Sequence, residues 1–255
     1  MTALRSLLFN LLFYTWTSVF QFLCLPLLLA PRRATFVFGR FWVRVSLALL
    51  ALVCGLRHRV VGRANMPEGP CIVAAKHQSA WDTLIFSQLL DDPSYVIKRE
   101  LLYLPGFGWF LGKLGVVGVD RSAGAKALRR MVRDAKAMAA ANRKLVIFPE
   151  GTRTAPGQSR PYHPGVAALY QQLGLPVVPV ALNSGLFWRR RSFLKHPGEI
   201  TLEFLPPIDP GLPRKAFLEA LQHRIEEAST RLADAAGPQR TPNATLVDEA
   251  ADNPR

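Results

Sequence analysis

No charged side chain occurs between Ser6 and Pro31, a run of 26 residues. As an α-helix such a run is roughly 39 Å long, against a hydrocarbon core of about 30 Å. It lacks the small-residue cleavage site of a signal peptide and reads as a retained segment. Pro26 kinks or ends the helix, because proline removes a backbone donor and clashes with the preceding turn. Arg32, Arg33, Arg40 and Arg44 follow, and then a second apolar run from Val45 to Leu56. Twelve residues are too few to cross a bilayer, so the second run reads as an interfacial or re-entrant helix. Arg5 alone precedes the first run, whereas four arginines follow it. A spanning first helix would put the rest of the chain in the cytoplasm by the positive-inside rule. Two helices dipping into one leaflet would pair those arginines with lipid phosphates, and the sequence leaves both arrangements open. The chain therefore divides into N-terminal membrane-anchoring helices over 1–57, a catalytic domain over 58–235 and a disordered tail over 236–255.

Charge narrows the partners. A formal net charge of +14 and a pI near 10.4 call for a polyanion: nucleic acid, an anionic lipid surface or a phosphorylated substrate. Hydrophobic residues make up 49% of the 255, which is oily for a nucleic-acid binder, and no zinc-finger or RNA-binding signature occurs. Lipid is favoured, and no nucleic-acid partner is expected. Cys24, Cys54 and Cys71 sit in apolar runs with no CxxC pair. That argues against a disulfide framework or a structural zinc site, and the three read as small buried or lipid-facing apolar residues.

From about His58, short β-rich runs alternate with helical patterns. His58–Gly62, Cys71–Ala75, Tyr95–Lys98, Val116–Val119, Leu145–Phe148, Val177–Leu182 and Glu199–Leu205 read as strands. Asp82–Leu90, Ala125–Ala141, Gly165–Leu173 and Arg214–Ala235 read as helices. The alternation predicts an α/β fold, a central, largely parallel or mixed sheet flanked by helices. Leu145–Phe148 and Val177–Leu182 carry no polar side chain, as strands covered on both faces should.

Two stretches carry chemistry. In His77-Gln-Ser-Ala-Trp-Asp82 the histidine follows a strand and Ser79 is placed to cap the next helix. Inside a regular helix, residues five apart lie about 140° off one face. Across a strand-to-helix turn, Asp82 can fold back on the imidazole, fix its tautomer and leave the other ring nitrogen free as a base. No Ser or Cys nucleophile is obligatory, since a substrate hydroxyl can attack a thioester directly. Ser79 lacks the Gly-x-Ser-x-Gly elbow of a serine hydrolase, and the other histidines show no zinc spacing with His77. In Phe148-Pro-Glu-Gly-Thr-Arg153 a turn ends a buried strand. Gly151 allows close backbone approach, and Arg153 offers a planar fork for phosphate. Glu150 is expected to hold Arg153 or a substrate hydroxyl. Gly115-Val-Val-Gly-Val-Asp-Arg121 and Lys98-Arg-Glu-Leu101 end two more strands with a cation, so three basic strand ends can converge beside the His–Asp pair.

The order of these blocks, with Val178-Pro-Val180 after them, resembles the glycerolipid acyltransferase superfamily over roughly residues 58–205. The nearest branch looks like the bacterial 1-acyl-sn-glycerol-3-phosphate acyltransferases. The resemblance implies that His77 is the catalytic base and Asp82 its partner. It implies that Arg121, Glu150, Gly151, Thr152 and Arg153 bind the glycerol phosphate, with Lys98 near the phosphate. Val178-Pro-Val180 would help shape the donor side. It further implies a lysophospholipid acceptor, acyl-CoA or acyl carrier protein as donor, no metal or organic cofactor, and a place at the bacterial inner membrane facing the cytoplasm. One segment departs. Relatives often carry an aromatic-Lys-x-Gly stretch where this chain has Tyr162-His-Pro-Gly165, so a cation there depends on the state of His163.

Two basic surfaces remain. Phe187-Trp-Arg-Arg-Arg-Ser-Phe-Leu-Lys195 interleaves cations with aromatics and is expected to meet membrane headgroups. Lys126, Arg129, Arg130, Arg133 and Lys136 share much of one helix face, as a solvated surface or a dock for an acidic acyl carrier protein or the phosphates of coenzyme A. The expected function is therefore O-acyl transfer to the sn-2 hydroxyl of 1-acyl-glycerol-3-phosphate, giving phosphatidic acid. The alternatives are another lysolipid acceptor (lyso-ornithine lipid, lysophosphatidylglycerol), a non-catalytic membrane-docking protein, or a thioester hydrolase.

Overall fold

The computed structural model describes residues 1–120 and 124–237. Two long helices come first, α1 (Thr2–Leu23) and α2 (Arg32–Cys54), joined through a short 3-10 turn at Leu25–Leu28. Seven strands follow: β1 (Leu56–Val61), β2 (Ile72–Ala75), β3 (Ser94–Lys98), β4 (Val117–Val119), β5 (Leu145–Ile147), β6 (Val177–Leu182) and β7 (Gly198–Phe204). The remaining helices are α3 (Trp81–Leu89), α4 (Phe107–Leu114), α5 (Gly124–Ala140), α6 (Pro164–Leu173) and α7 (Arg214–Ala235).

The strands form one mixed sheet in the order β1-β7-β6-β2-β5-β3-β4, with only the β6–β7 pairing antiparallel. The charge-free β5 and β6 lie on either side of β2, fully buried, as their composition predicts. Alternation along β2 divides the core between the two faces of the sheet. Val73 and Ala75 pack with Trp81, Ile85 and Phe86 of α3. Ile72 and Ala74 pack with α6 and α7 through Val166, Leu169, Phe217 and Leu221. From β2 the chain crosses α3 towards β3 on one side, and from β5 it crosses α6 towards β6 on the other. The connections thus diverge between the adjacent strands β2 and β5. Open α/β sheets bind ligands at such a switch point, outside the carboxyl ends of the strands.

Every strand read from the sequence forms within two residues of its expected bounds. The largest difference lies at the N-terminus. The second segment is a helix of 23 residues rather than a 12-residue interfacial one, because it takes in all four arginines. Arg32 forms an ion pair with Asp92, and Arg40 lies 3.7 Å from Asp91, both acids in the turn after α3. Partner carboxylates let a helix carry cations that a hydropathy reading takes as its end. Both α1 and α2 are long and apolar enough to cross a membrane. Their shared face is aromatic: Phe13 lies 6.1 Å from Trp42, and Trp16 and Phe20 pack on Phe41. Helix α4 was not expected, and its Phe107 and Trp109 extend the exposed apolar surface of the helix pair. The expected disordered tail lies outside the described residues from 238 onward.

The segment 187–195 keeps Arg189, Arg190 and Arg191 exposed but turns other side chains inward. Trp188 packs edge-on to Phe9 of α1, and the ammonium of Lys195, 3% exposed, donates to Asn10 Oδ1 at 2.6 Å. This aromatic and basic stretch thus fastens α1 to the sheet, leaving Phe193 at the surface.

The three cysteines are free and buried. Burial pushes the Cys71 thiol up to about 11, so at pH 8 it stays protonated and unreactive. Iodoacetamide at pH 8 is expected to spare Cys71 in the folded protein and label it in urea, as read by peptide mass spectrometry.

Candidate active site

Strand β2 delivers two successive residues to opposite faces of the sheet. Lys76 turns towards α6 and α7, and His77 towards α3. Asp82 lies in the first turn of α3, fully buried. Its Oδ2 accepts from the backbone N–H of Gln78 at 2.7 Å and of Ser79 at 2.8 Å, and lies 3.0 Å from His77 Nδ1. Its Oδ1 accepts from the Ser184 hydroxyl at 2.5 Å. The carboxylate therefore organises the turn and orients the ring at once. Helix α3 begins one residue later than the Ser79 cap would place it. Ala80 is at the cap position, and Ser79 Oγ accepts from the Trp81 N–H at 3.2 Å.

The imidazole stacks on Phe148 with ring centroids 4.1 Å apart. Its Nε2 makes no hydrogen bond among the described residues. Around it opens an apolar cavity of about 410 Å³ whose wall includes His77, Phe148 and Gly151 together with side chains of α1, α2, α3 and α4. A base with its tautomer set by a buried carboxylate thus faces space fit for a fatty chain.

Gly151 has φ +69°, a conformation side chains disfavour, and its N–H donates to the Phe148 carbonyl at 2.9 Å, closing the turn after β5. Thr152 and Arg153 follow, both half-buried. Burial, first, and then the guanidiniums of Arg190 and Arg191 draw the Arg153 pKa below its ordinary value, while Asp82 opposes them. Arg190 Nη1 donates to the Arg153 carbonyl at 3.4 Å. None of these three arginines forms an ion pair among the described residues. Three guanidiniums that outnumber the one nearby carboxylate, Asp82, make a place for an anion. The sequence gives no sign of Arg190 here, since the arginine run reads as a surface patch.

Lys98 is exposed, pairs with Glu100 at 3.2 Å and borders the same cavity. Arg121 lies outside the described residues. Among the described residues no group of three His, Cys, Asp or Glu side chains is placed to hold a metal.

Glu150 does not hold Arg153 or face a substrate hydroxyl, as its place in the turn predicts it would; it is 2% exposed and turned inward. Its Oε1 pairs with Lys76 at 2.8 Å, and its Oε2 accepts the His77 backbone N–H at 2.8 Å. The buried ammonium one residue before the histidine is the physical reason. A fully buried cation needs a carboxylate there far more than half-buried Arg153 does. Lys76→Met, which strands Glu150 and Glu226 without their cation, is expected to destabilise the fold by about 3–5 kcal/mol. Denaturant unfolding in detergent would measure it.

Residues 57–183 match the family model described as Acyltransferase. The 1-acyl-sn-glycerol-3-phosphate acyltransferase of Pseudomonas aeruginosa is 38% identical over 208 residues, 80% of each chain. The yeast protein of that name, from Saccharomyces cerevisiae, is 32% identical over 139 residues, 53% of this chain and 46% of its own. The crystal structure of the 1-acyl-sn-glycerophosphate acyltransferase of Thermotoga maritima has the same fold, with a TM-score of 0.74 at 21% identity, covering 91% of this chain and 98% of that one. The matched span contains the His77 turn and the Phe148–Arg153 turn on neighbouring strands, and the bacterial likeness runs through four-fifths of both chains. The chain belongs to the acyltransferase family, in the branch of the 1-acyl-sn-glycerol-3-phosphate acyltransferases.

Proposed function

We propose that this acyltransferase moves a fatty acyl group from acyl-CoA or acyl carrier protein to the sn-2 hydroxyl of 1-acyl-glycerol-3-phosphate, giving phosphatidic acid. The observation that carries the reading is the His77–Asp82 contact of 3.0 Å on the wall of an apolar cavity, with the Arg153 cluster one strand away. His77 Nε2 takes the hydroxyl proton as the acceptor oxygen attacks the thioester carbonyl. Asp82 stabilises the imidazolium so formed. The tetrahedral intermediate collapses by breaking the C–S bond, and the leaving sulfur takes the proton back from His77. Ester and thiol result, and no covalent enzyme intermediate is needed. Arg153, flanked by Arg190 and Arg191, binds the acceptor phosphate.

Helices α1 and α2 support a membrane setting for the site beside them; in this reading the site faces the cytoplasm of a bacterial cell. Arg33 and Arg44, both exposed, remain for lipid headgroups.

Labelled acyl-CoA offered in detergent to lysophosphatidic acid, lyso-ornithine lipid, lysophosphatidylglycerol or no acceptor tests the reading. Phosphatidic acid as the preferred product is expected. A preference for another lysolipid would change the acceptor, and fatty acid released without acceptor would make the protein a hydrolase. In the same assay Arg153→Ala is expected to raise KM for lysophosphatidic acid by about tenfold or more, with a smaller change in kcat. One charged hydrogen bond is worth about 1.5–3 kcal/mol.

A further inference from the structure

Lys76 is the most deeply buried cation among the described residues, and the reaction has no direct use for it. Its ammonium lies 2.8 Å from Glu150 Oε1, 2.9 and 2.7 Å from the two oxygens of Glu226, and 3.1 Å from the Gln158 carbonyl. Glu150 links this cluster to the base, since its other oxygen accepts the His77 backbone N–H. Glu226 arrives from α7, 150 residues along the chain from Lys76 and outside the span that the family model matches. Tyr162 donates to Glu226 Oε1 at 2.9 Å. Burial and the two carboxylates push the phenol far above its ordinary pKa, so it stays a donor.

We propose that Glu226 is a positioning residue for the transfer reaction: it clamps Lys76 from α7, and so fixes Glu150 and the backbone that carries His77. This inference rests on the reading of His77 as the base. One carboxylate would neutralise Lys76 but leave a long side chain freedom to swing. Two carboxylates on opposite elements remove that freedom and place Glu150 in one register. Docking of α7 does not explain the arrangement. Phe217, Leu221 and Ile225 already bury its apolar face, and Arg231 pairs with Glu203 at 2.8 Å on its surface. Asp82 holds His77 from the α3 side of the sheet, and Glu226 holds the same turn from the opposite face.

The test compares wild type, Glu226→Gln, Glu226→Asp, Tyr162→Phe, Arg231→Gln and His77→Ala in detergent, with kcat, both KM values and melting temperature for each. Glu226→Gln is expected to lower kcat about tenfold while both KM values stay within about twofold, since small misplacement of a base acts on the chemical step. Glu226→Asp should recover most of the loss. Arg231→Gln, which loosens the same helix, should keep kcat. The inference is overturned if kcat of Glu226→Gln stays near wild type, or if Arg231→Gln at equal melting temperature loses as much. Should Glu226→Gln fail to fold, Tyr162→Phe decides: a kcat loss of about threefold at constant KM upholds the clamp, and an unchanged kcat sinks it. Near-normal turnover of His77→Ala would instead overturn the reading beneath it, whatever Glu226→Gln does.

Discussion

His77→Ala is expected to cut turnover by about 10³-fold, or roughly 4 kcal/mol of transition-state stabilisation, the range of a positioned general base. The fold should survive. The residue's main-chain groups are held whatever its side chain, the N–H by Glu150 at 2.8 Å and the carbonyl by the Thr154 N–H at 2.8 Å. The ring itself gives up only its stack on Phe148 and its contact with Asp82. Melting temperature and kcat measured on one preparation separate the two effects. Residual transfer would come from substrates held side by side in the cavity and on the Arg153 cluster.

Asp82 is expected to divide catalysis from folding by the choice of replacement. In Asp82→Asn the amide oxygen can take the place of Oδ2, accepting from the N–H groups of Gln78 and Ser79 and from His77 Nδ1. Its NH2 group then faces Ser184, whose hydroxyl can accept as readily as donate. The tautomer is kept and the negative charge is lost. Charge-assisted hydrogen bonds are about twice as strong as neutral ones, so turnover should fall on the order of 10²-fold with modest loss of stability. Asp82→Ala instead leaves two buried N–H groups and a buried hydroxyl without partners, each costing about 1–3 kcal/mol. That variant should unfold first and report little about the chemistry. Thermal melts alongside kcat for both variants check the division.

The sequence and the structure agree best where a signal is local. Strands β5 and β6 were readable because a charge-free run of that length fits a strand covered on both faces. The His77–Asp82 spacing was readable because only a turn brings residues five apart together, and His77 follows a legible strand. What failed to show depends on distant partners. The arginines of α2 looked like the end of an apolar segment, since Asp91 and Asp92, which accept them, lie beyond α3. Glu150 looked like a substrate ligand because nothing near it in sequence announces a buried ammonium. Lys76 reads as an ordinary lysine until Glu226 is brought to it from α7. Helix α4 escaped because glycine and aromatic residues fill it, without helix-favouring composition or periodic polar residues. Arg190 and Arg191 lie near Arg153 in a segment that also meets α1 through Trp188 and Lys195, contacts that no local pattern announces.

The central claim is direct transfer, with His77 activating the acceptor and no acyl group resting on the protein. Its sharpest measurement is a single-turnover experiment in which detergent-solubilised enzyme in excess meets labelled acyl-CoA, first alone and then with lysophosphatidic acid. Unlabelled protein and no free fatty acid in the first stage, followed by labelled phosphatidic acid in the second, is the expected result. An acyl-protein adduct by intact mass, or label released as fatty acid before any acceptor is added, would contradict it.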